Sequence, residues 1–462
     1  MLFISIKFLY FFLPITYLVF WRLRTKSQRY VWLTITGYVF YSFWNPKFCA
    51  LMALSTAVSY IAGLGFLRWQ DARRRRLCLV IPIASDLLIL GIFKYANFVL
   101  CSGGSLVRIL DPSFHPPAFD IVLPVGISFY TFHTITYIVD SYRGTIRPTR
   151  NLFEFSCYVS LFSQLVAGPI VRFRQVEQDL ENIDHPGQSR DVGRGWSFFV
   201  LGMIKKVLIA DNIALIINPA LANWRSLATV DAWLCMLGYT YQLYFDFSGY
   251  SDMAVGLGAM FGIRLPQNFN SPYKAVDISD FWRRWHISLS SVLRDYLYIP
   301  LGGSRHGEWR TCRNLAITML LGGLWHGANW TFVAWGAYHG LLLVAGRYGV
   351  GLREAWPALL RRSATFLLVV IGWVLFRSES FPMASRLLQM MFTWNAGLHL
   401  AALPGLIALL ALAAALAHWG PNTFEMKHQW GPAPALGLGI LLVACMAFIY
   451  RGQQSPFLYF QF

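Results

Sequence analysis

Long apolar segments recur along almost the whole chain, and the short connectors between them carry most of the charged residues. Many of these segments approach the ~20 residues that a helix needs to cross a bilayer. Before residue 140 the pattern predicts spans over residues 3–21, 31–46, 48–67, 77–100 and 121–139. The hydrophobic pattern therefore indicates an all-α integral membrane protein with many helices.

The basic connectors give these spans a predicted orientation. Residues 22–30 and 68–76 are rich in arginine and lysine, and basic connectors beside spans face the cytoplasm. Two spans lie between the two connectors, so both connectors can lie on that side of the membrane. The first residues then face outward, and the segment 101–120, which is rich in glycine and proline, forms an outer loop.

Beyond residue 150 the pattern is less regular. The segment 152–171 is short and contains a Gly-Pro pair, so it is compatible with a span or with a re-entrant segment surrounded by protein. Lys205 and Lys206 interrupt the apolar segment 196–218, which favours a tilted or interfacial helix whose lysines extend toward the interface. Further spans are predicted over residues 230–262, 313–349 (one long or two short), 364–377, 396–419 and 433–450. In total we expect about ten to twelve spans or half-spans.

Composition and charge support the membrane class. Of the 462 residues, 56% are hydrophobic and 13% are charged, whereas soluble domains carry roughly 25% charged residues. The net charge of +17 invites a nucleic-acid interpretation, but the basic residues lie in the connectors. Membrane topology and attraction to anionic lipids explain that placement better, so we expect membrane lipids and no nucleic acid as partners. The seven cysteines are dispersed without a CxxC pair, which predicts neither a disulfide framework nor a zinc site.

One histidine lies in an otherwise uncharged segment. Between Asn314 and Trp335 there is no charged residue, yet His326 lies in the middle. An ionisable side chain inside a membrane segment is costly, so its presence indicates a function. Because neutral imidazole accepts a proton near physiological pH, this pattern favours a general base over a histidine that merely bonds a neighbouring helix. His339 falls on roughly the opposite face of an ideal helix, so we do not pair it with His326.

A second histidine, His286, lies in an amphipathic pattern that begins at Asp277. Its apolar positions recur at spacings of three and four: Trp282, Trp285, Leu289, Leu293 and Tyr296. Its polar positions are Arg283, Arg284, Ser291, Arg294 and Asp295. This pattern predicts one interfacial amphipathic helix with His286 at the border of its apolar face. Such a histidine can line a site or form an interfacial hydrogen bond, and the residues leave both interpretations open.

Two aspartates, Asp246 and Asp252, interrupt the apolar segment YQLYFDFSGYSDMA. Their spacing of six does not place them on one helical face, although a break at Gly249 would change that. A carboxylate pair, a cation site and counter-charges for Arg283 and Arg284 are the three interpretations. We favour counter-charges, because buried charges need partners.

Five sequence blocks resemble the membrane-bound O-acyltransferase (MBOAT) family, in the bacterial branch that O-acetylates alginate, cellulose and peptidoglycan and includes the teichoic acid D-alanylation protein. The blocks are LPVGISFYTFHTITYIVDSYRG (123–144), LVAGPIVRF (165–173), YQLYFDFSGYSDMAVGLG (241–258), FNSPYKAVDISDFWRRWHISLSSVLRDYLYIPLGG (269–303) and NLAITMLLGGLWHGANWTFVAWGAYHG (314–340). They follow one another in the family's order. The segment 350–450 carries no motif that matches.

The resemblance implies a fold and its division along the chain. A single polytopic domain over residues 1–462 would form a ring of about 10–12 transmembrane or re-entrant helices around a central tunnel. Its implied parts are N-terminal helices (1–120), a catalytic core (121–345), C-terminal helices (346–450) and an aromatic tail (451–462). The tunnel would admit the acyl donor from the cytoplasm, and its outer face would meet the acceptor.

The resemblance also implies roles for particular residues. His326, in LWHG, corresponds to the family's catalytic histidine, and His286, in RRWH, to a second histidine of the same tunnel. Acetyl-CoA is the implied donor, and no metal is expected. Tunnel-lining or supporting roles are expected for Trp325, Asn329, Asp246, Asp252, Arg283 and Arg284.

The tail sequence SPFLYFQF is similar to short aromatic tails of this branch, in which a tyrosine is proposed to carry the acyl group. By this match Tyr459 would be an acyl carrier. The alternative is an aromatic anchor at the membrane interface, which the neighbouring phenylalanines would form equally well.

Together these features predict a multi-pass O-acetyltransferase of a bacterial inner membrane. Its acceptor would be an exported polysaccharide (alginate, cellulose or peptidoglycan), reached through an extracytoplasmic acetyltransferase of the serine-hydrolase-like kind. Two alternatives without covalent chemistry are a transporter or conduit, and a membrane scaffold for that partner. The absence of an obvious inverted repeat counts against a transporter.

Overall fold

The computed structural model describes residues 1–166, 168–185, 191–349, 356–400, 402–429, 431–452, 455 and 457–458. All regular secondary structure in these residues is helical, which confirms the all-α prediction. The chain divides into two compact units, Met1–Gly195 with Leu257–Pro266, and Trp196–Gly256 with Gln267–Phe462. One domain over the whole chain stays a prediction.

The first unit is built from seven described helices. They are α1 (Phe8–Arg22), α2 (Lys26–Ser42), α3 (Cys49–Arg68), α4 (Ala72–Leu110), α5 (Ile127–Arg143), α6 (Leu152–Ser160) and α7 (Phe173–Glu181). Its core includes a cluster of four phenylalanine rings with centroids 5.3–6.3 Å apart, formed by Phe8, Phe12, Phe40 and Phe162. Arg264 donates to both carboxylate oxygens of the buried Asp179 and so ties residues 257–266 to α7.

One expectation for this unit needs correction, and one of two open alternatives is excluded. Helix α4 continues through residue 100 to Leu110, so the expected outer loop 101–120 begins only after that residue. Among the described residues of the segment 152–171, only Leu152–Ser160 form a helix. Nine helical residues extend about 14 Å, less than half of a ~30 Å hydrocarbon core, so this segment does not cross a membrane as a helix. Residues 161–166 continue as buried turns.

The chain from residue 192 onward adds eleven described helices. They are α8 (Val192–Met203), α9 (Asp211–Ala222), α10 (Thr229–Met260), α11 (Ile278–Arg284), α12 (Ile287–Leu293), α13 (Glu308–His326), α14 (Trp330–Tyr348), α15 (Ala358–Arg377), α16 (Phe381–Phe392), α17 (Leu403–His418) and α18 (Pro432–Tyr450). A π-helical segment, Ile204–Ala210, joins α8 to α9, and another, Arg294–Tyr298, follows α12. The predicted span 313–349 is thus two helices.

A crossing of two glycines positions the buried charges of the second unit. A Cβ atom at Gly202 of α8 would lie 2.5 Å from the Gly249 carbonyl oxygen, and one at Gly249 of α10 would lie 2.7 Å from the Gly202 carbonyl oxygen. Only glycine permits this approach. Helix α10 runs through Gly249 without a break, and the crossing brings the lysines that follow Gly202 against its aspartates.

By length and composition, four described helices can cross a membrane: Pro46–Arg68, Ala72–Leu110, Ala358–Arg377 and Pro432–Tyr450. Two shorter apolar helices, Phe8–Arg22 and Leu403–His418, accompany them. The chain is a membrane protein, and the total of ten to twelve spans stays a prediction.

Candidate active site

His286 and His326 lie side by side in the second unit. Their ring centroids are 6.4 Å apart, and both side chains are buried. One histidine comes from a break between α11 and α12, and the other is the last residue of α13. The two motifs that the sequence singled out, RRWH and LWHG, therefore meet at one place in the structure.

The backbone of His286 breaks the predicted amphipathic helix. Helix α11 ends at Arg284, His286 has a left-handed backbone (φ 44°), and α12 begins at Ile287. The prediction of one interfacial helix is therefore wrong, although the apolar spacing continues across the break. His286 has no exposed surface, because the break turns its ring inward instead of leaving it at the border of a helical face.

Asn268 holds this break and orients the imidazole. Its Oδ1 accepts the Ser288 N–H (3.2 Å) and the Ser288 hydroxyl (2.8 Å) and lies 3.2 Å from His286 Nδ1. Because that oxygen only accepts hydrogen bonds, Nδ1 must carry the proton, which leaves the lone pair on Nε2. The Asn268 amide nitrogen donates to Ser251 Oγ (3.2 Å), which fixes the asparagine itself. Asn268 carries no motif signal in the sequence and is not among the predicted site residues.

His326 lies in an aromatic surround. Its ring centroid is 5.0 Å from Trp325, 5.1 Å from Trp335 and 5.2 Å from Phe376. Trp325 also lies 6.0 Å from His286, so this indole contacts both histidines. The chain then leaves α13 through extended Gly327. The arrangement supplies two imidazoles within a wall of apolar rings, where a reaction would be shielded from water.

Asn329 and Arg284 form hydrogen bonds or ion pairs at helix ends next to the two histidines in sequence. The Asn329 side chain accepts the Thr331 N–H (3.1 Å) at the start of α14 and donates to the Glu379 carbonyl oxygen (2.9 Å). Arg284 pairs with Asp280 at 2.9 Å within α11. Arg283 lies in the last turn of the same helix.

The counter-charges of the two aspartates are lysines, and this corrects the expected pairing with Arg283 and Arg284. Lys206 lies 2.5 Å from Asp246, and Lys205 lies 2.5 Å from Asp252. The side chain of Lys206 is only 2% exposed, so it does not extend to the interface as predicted. The glycine crossing accounts for the pairing, because it places the lysine-bearing π segment directly against α10.

His339 is packed apart from the two histidines of the site. Its ring stacks on Phe281 and contacts Trp282 and Trp335, with centroids 6.2, 5.3 and 4.9 Å away. Among the described residues neither of its ring nitrogens has a hydrogen-bond partner. His326 contacts the other end of this cluster through Trp335. The position of His339 is that of a core residue.

Residues of the tail reach the same region. The ring of Phe457 lies 6.0 Å from Phe247, and Phe247 in turn lies 4.7 Å from His286. Tyr459, the expected acyl carrier, lies outside the described residues. Phe247, the ring between the tail and the site, is not among the predicted site residues. Within the described chain no three His, Cys, Asp or Glu side chains are grouped to hold a metal ion.

Comparison with known proteins adds the family. The model of the MBOAT, membrane-bound O-acyltransferase family, matches residues 145–377, a range that contains both histidines. The chain is 42% identical to a probable alginate O-acetylase of Pseudomonas putida, over 100% of both chains. It is 36% identical to a peptidoglycan O-acetyltransferase of Helicobacter pylori, over 86% of this chain and 80% of that protein. It is 28% identical to a teichoic acid D-alanyltransferase of Bacillus subtilis, over 66% of this chain and 85% of that protein. The chain belongs to the membrane-bound O-acyltransferase family and is an acyltransferase.

Proposed function

We propose that this protein is an O-acetyltransferase of a bacterial inner membrane that moves acetyl groups from cytoplasmic acetyl-CoA toward an exported polysaccharide. The single observation that carries the proposal is the meeting of His286 and His326 in a buried aromatic surround. Relatives named as alginate and peptidoglycan O-acetylating enzymes support the acetyl group and the polymer acceptor. Alginate, peptidoglycan and cellulose are the candidate polymers.

His326 is the proposed general base. It takes the proton of an acceptor hydroxyl as the hydroxyl oxygen attacks the thioester carbonyl carbon of the donor. A C–O bond forms, the C–S bond breaks, and the departing thiolate takes the proton back from the imidazolium. Positioned proton transfer of this kind is worth roughly 10²–10⁴-fold in rate. The surrounding rings limit competing attack by water.

His286 is the proposed partner of this base. Its Nδ1 is held by Asn268, so its Nε2 lone pair has a fixed direction within the site. We assign it to the orientation of the acceptor hydroxyl, with Trp325 packed against both imidazoles. We assign Arg283 and Arg284 to support of the end of α11, which precedes His286, and Asn329 to support of the start of α14, which follows His326.

Tyr459 is the proposed acyl carrier. Its phenol would be the first acceptor, and its acetyl ester would be passed to an extracytoplasmic acetyltransferase of the serine-hydrolase-like kind. The burial of Phe457 and Leu458, the two residues before it in sequence, supports this role. Phe457 approaches His286 through a single intervening ring.

The test is acetyl transfer and CoA release from labelled acetyl-CoA by the purified protein in nanodiscs. We expect His326→Ala to abolish both, while His306→Ala, at an exposed histidine outside the site, retains them. A wild-type protein that releases no CoA and incorporates no label, even with its partner enzyme present, would overturn the proposal in favour of a conduit or scaffold.

A further inference from the structure

The tail is buried within the second unit before it reaches Tyr459. Phe457 is 0% exposed, Leu458 is 3% exposed and Ser455 is 8% exposed. A buried main chain must have partners for its N–H and C=O groups, because an unpaired polar group inside a protein is costly. The partners of this segment therefore indicate what holds it.

Two charged side chains bind the main chain of the tail. Asp246 Oδ2 accepts the Leu458 N–H at 3.0 Å, and Lys206 Nζ donates to the Ser455 carbonyl oxygen at 3.1 Å. Lys206 comes from the π-helical segment that follows α8, and Asp246 comes from α10. The same two side chains form an ion pair at 2.5 Å. The tail thus crosses over a buried ion pair and bonds both of its members.

The buried cluster of Lys206, Asp211 and Asp246 favours an additional hydrogen-bond donor. Lys206 also pairs with Asp211 at 2.7 Å, and all three side chains are no more than 3% exposed. One lysine therefore faces two buried carboxyl groups, and its ammonium group alone does not satisfy all of their oxygens. Buried charges need full hydrogen bonding to be tolerated. The Leu458 N–H supplies a hydrogen bond to Asp246, and charge-assisted bonds of this type are among the strong ones.

A ring contact adds side-chain selectivity to these backbone contacts. The Phe457 ring packs on Tyr250 with centroids 4.7 Å apart and on Phe247 with centroids 6.0 Å apart. Phe247 meets His286 edge-on at 4.7 Å. An aromatic residue at position 457 therefore sets how far the tail is inserted relative to the histidines.

We propose that Lys206 and Asp246 form a peptide clamp that holds the tail by its main chain, with the Phe457 ring as its anchor. The clamp positions Tyr459, the residue after Leu458, for the acyl transfer. In this respect it rests on the proposed function. The clamp fits a peptide segment in which an aromatic residue is followed by a residue whose backbone N–H can donate to Asp246. Lys206 and Asp246 are positioning residues, because they bind the main chain of the tail and not the reacting atoms.

The experiment uses a matched pair of variants of the full chain. Leu458→Pro and Leu458→Ala both lose the leucine side chain, but only proline also removes the N–H that Asp246 accepts. Both leave Lys206, Asp211 and Asp246 in place, so neither creates an unpaired buried charge. The first measurement is amide hydrogen exchange in nanodiscs, read from peptides that cover residues 455–462. The second is the kcat of acetyl transfer and the KM for acetyl-CoA.

We expect exchange in the tail to be faster in Leu458→Pro than in Leu458→Ala by about tenfold to a hundredfold, the effect of losing one hydrogen bond to a charged group. The kcat of transfer should fall in parallel with an unchanged KM for acetyl-CoA. Asp246→Asn leaves Lys206 paired with Asp211, keeps a neutral acceptor and should give an intermediate exchange rate.

The outcomes separate the clamp from the carrier. Equal exchange in Leu458→Pro and Leu458→Ala would overturn the clamp, whatever Tyr459 does. Faster exchange in Leu458→Pro with full transfer activity in Tyr459→Phe would support the clamp and overturn the carrier role of the proposed function.

Discussion

Phe247 packs edge-on against His286, with ring centroids 4.7 Å apart and ring planes at 90°. The same phenylalanine lies two residues before Gly249 in α10, the residue at which α8 and α10 cross. One helix therefore connects three features: the crossing, the aspartate that binds the tail and the ring that contacts the site. Substitutions at each of these three features should have effects that can be measured separately.

Asn268→Ala should impair both folding and catalysis. Removal of an acceptor used by Ser288 and His286 leaves buried donors unsatisfied, at a cost of about 1–3 kcal/mol. The tautomer and direction of His286 would also be lost, so the kcat of acetyl transfer should fall more than the folded fraction does. Thermal unfolding and transfer assays on the same preparation check this. Asn223→Ala, at an exposed asparagine, is the control. Transfer at the wild-type rate in Asn268→Ala would show that His286 needs no such orientation.

Gly249→Ala should destabilise the second unit. A Cβ atom there would lie 2.7 Å from the Gly202 carbonyl oxygen and 3.1 Å from the Lys206 backbone nitrogen. Backbone atoms cannot move aside easily. Overpacking of this kind costs typically about 1–3 kcal/mol. Gly405→Ala is the matched control, because it lies in α17 with nothing within 4 Å of the added atom. Replacement of an exposed helical glycine by alanine raises the free energy of unfolding by roughly 0.5–1 kcal/mol. Equal unfolding temperatures for the two variants would contradict the crossing.

Lys206→Met should cost far more stability than Lys205→Met. Lys206 is 2% exposed and faces both Asp211 and Asp246, so its removal leaves two buried carboxylates without their counter-charge. Breaking a buried pair from one side costs about 3–5 kcal/mol. Lys205 is 17% exposed and its partner Asp252 also accepts a hydrogen bond from Thr423. Thermal unfolding in nanodiscs compares the two variants, and similar losses would refute the distinction.

Tyr459→Phe should remove acetyl from the tail and stop transfer to the partner enzyme. The phenol oxygen is the proposed attachment point, and phenylalanine keeps the ring while deleting that atom. Mass spectrometry of proteolytic peptides covering residues 455–462, after incubation with acetyl-CoA, detects the added acetyl group. Tyr450→Phe, at an exposed tyrosine of α18, is the control and should retain acetylation. A tail that stays unmodified in the wild type during active transfer would eliminate the carrier.

The sequence predicts the helical class and the exceptional position of His326, because an uncharged apolar segment makes a histidine visible. It does not predict the break at His286. The apolar spacing of Trp282, Trp285 and Leu289 continues across that break, and a left-handed residue leaves no trace in a hydrophobic pattern. The sequence also does not predict the partners of Asp246. A lysine 40 residues away becomes its neighbour only through the crossing of α8 and α10.

The burial of the tail is likewise not predictable from the sequence. Its aromatic composition permits either an interfacial anchor or a buried segment, and hydropathy does not distinguish them. The hydrogen bonds from Lys206 and to Asp246 decide for the buried segment over residues 455 and 457–458. These contacts join parts of the chain more than 200 residues apart, so no local pattern records them.

The most direct test of the catalytic role of His326 is the single-turnover rate of acetyl transfer from labelled acetyl-CoA by His326→Gln. Glutamine keeps a polar side chain of similar length at the end of α13 but cannot act as a base at neutral pH. We predict a rate lower by roughly 10²–10⁴-fold, with unfolding temperature and acetyl-CoA binding close to those of the wild type. A single-turnover rate equal to that of the wild type would contradict the assignment of His326 as the catalytic base.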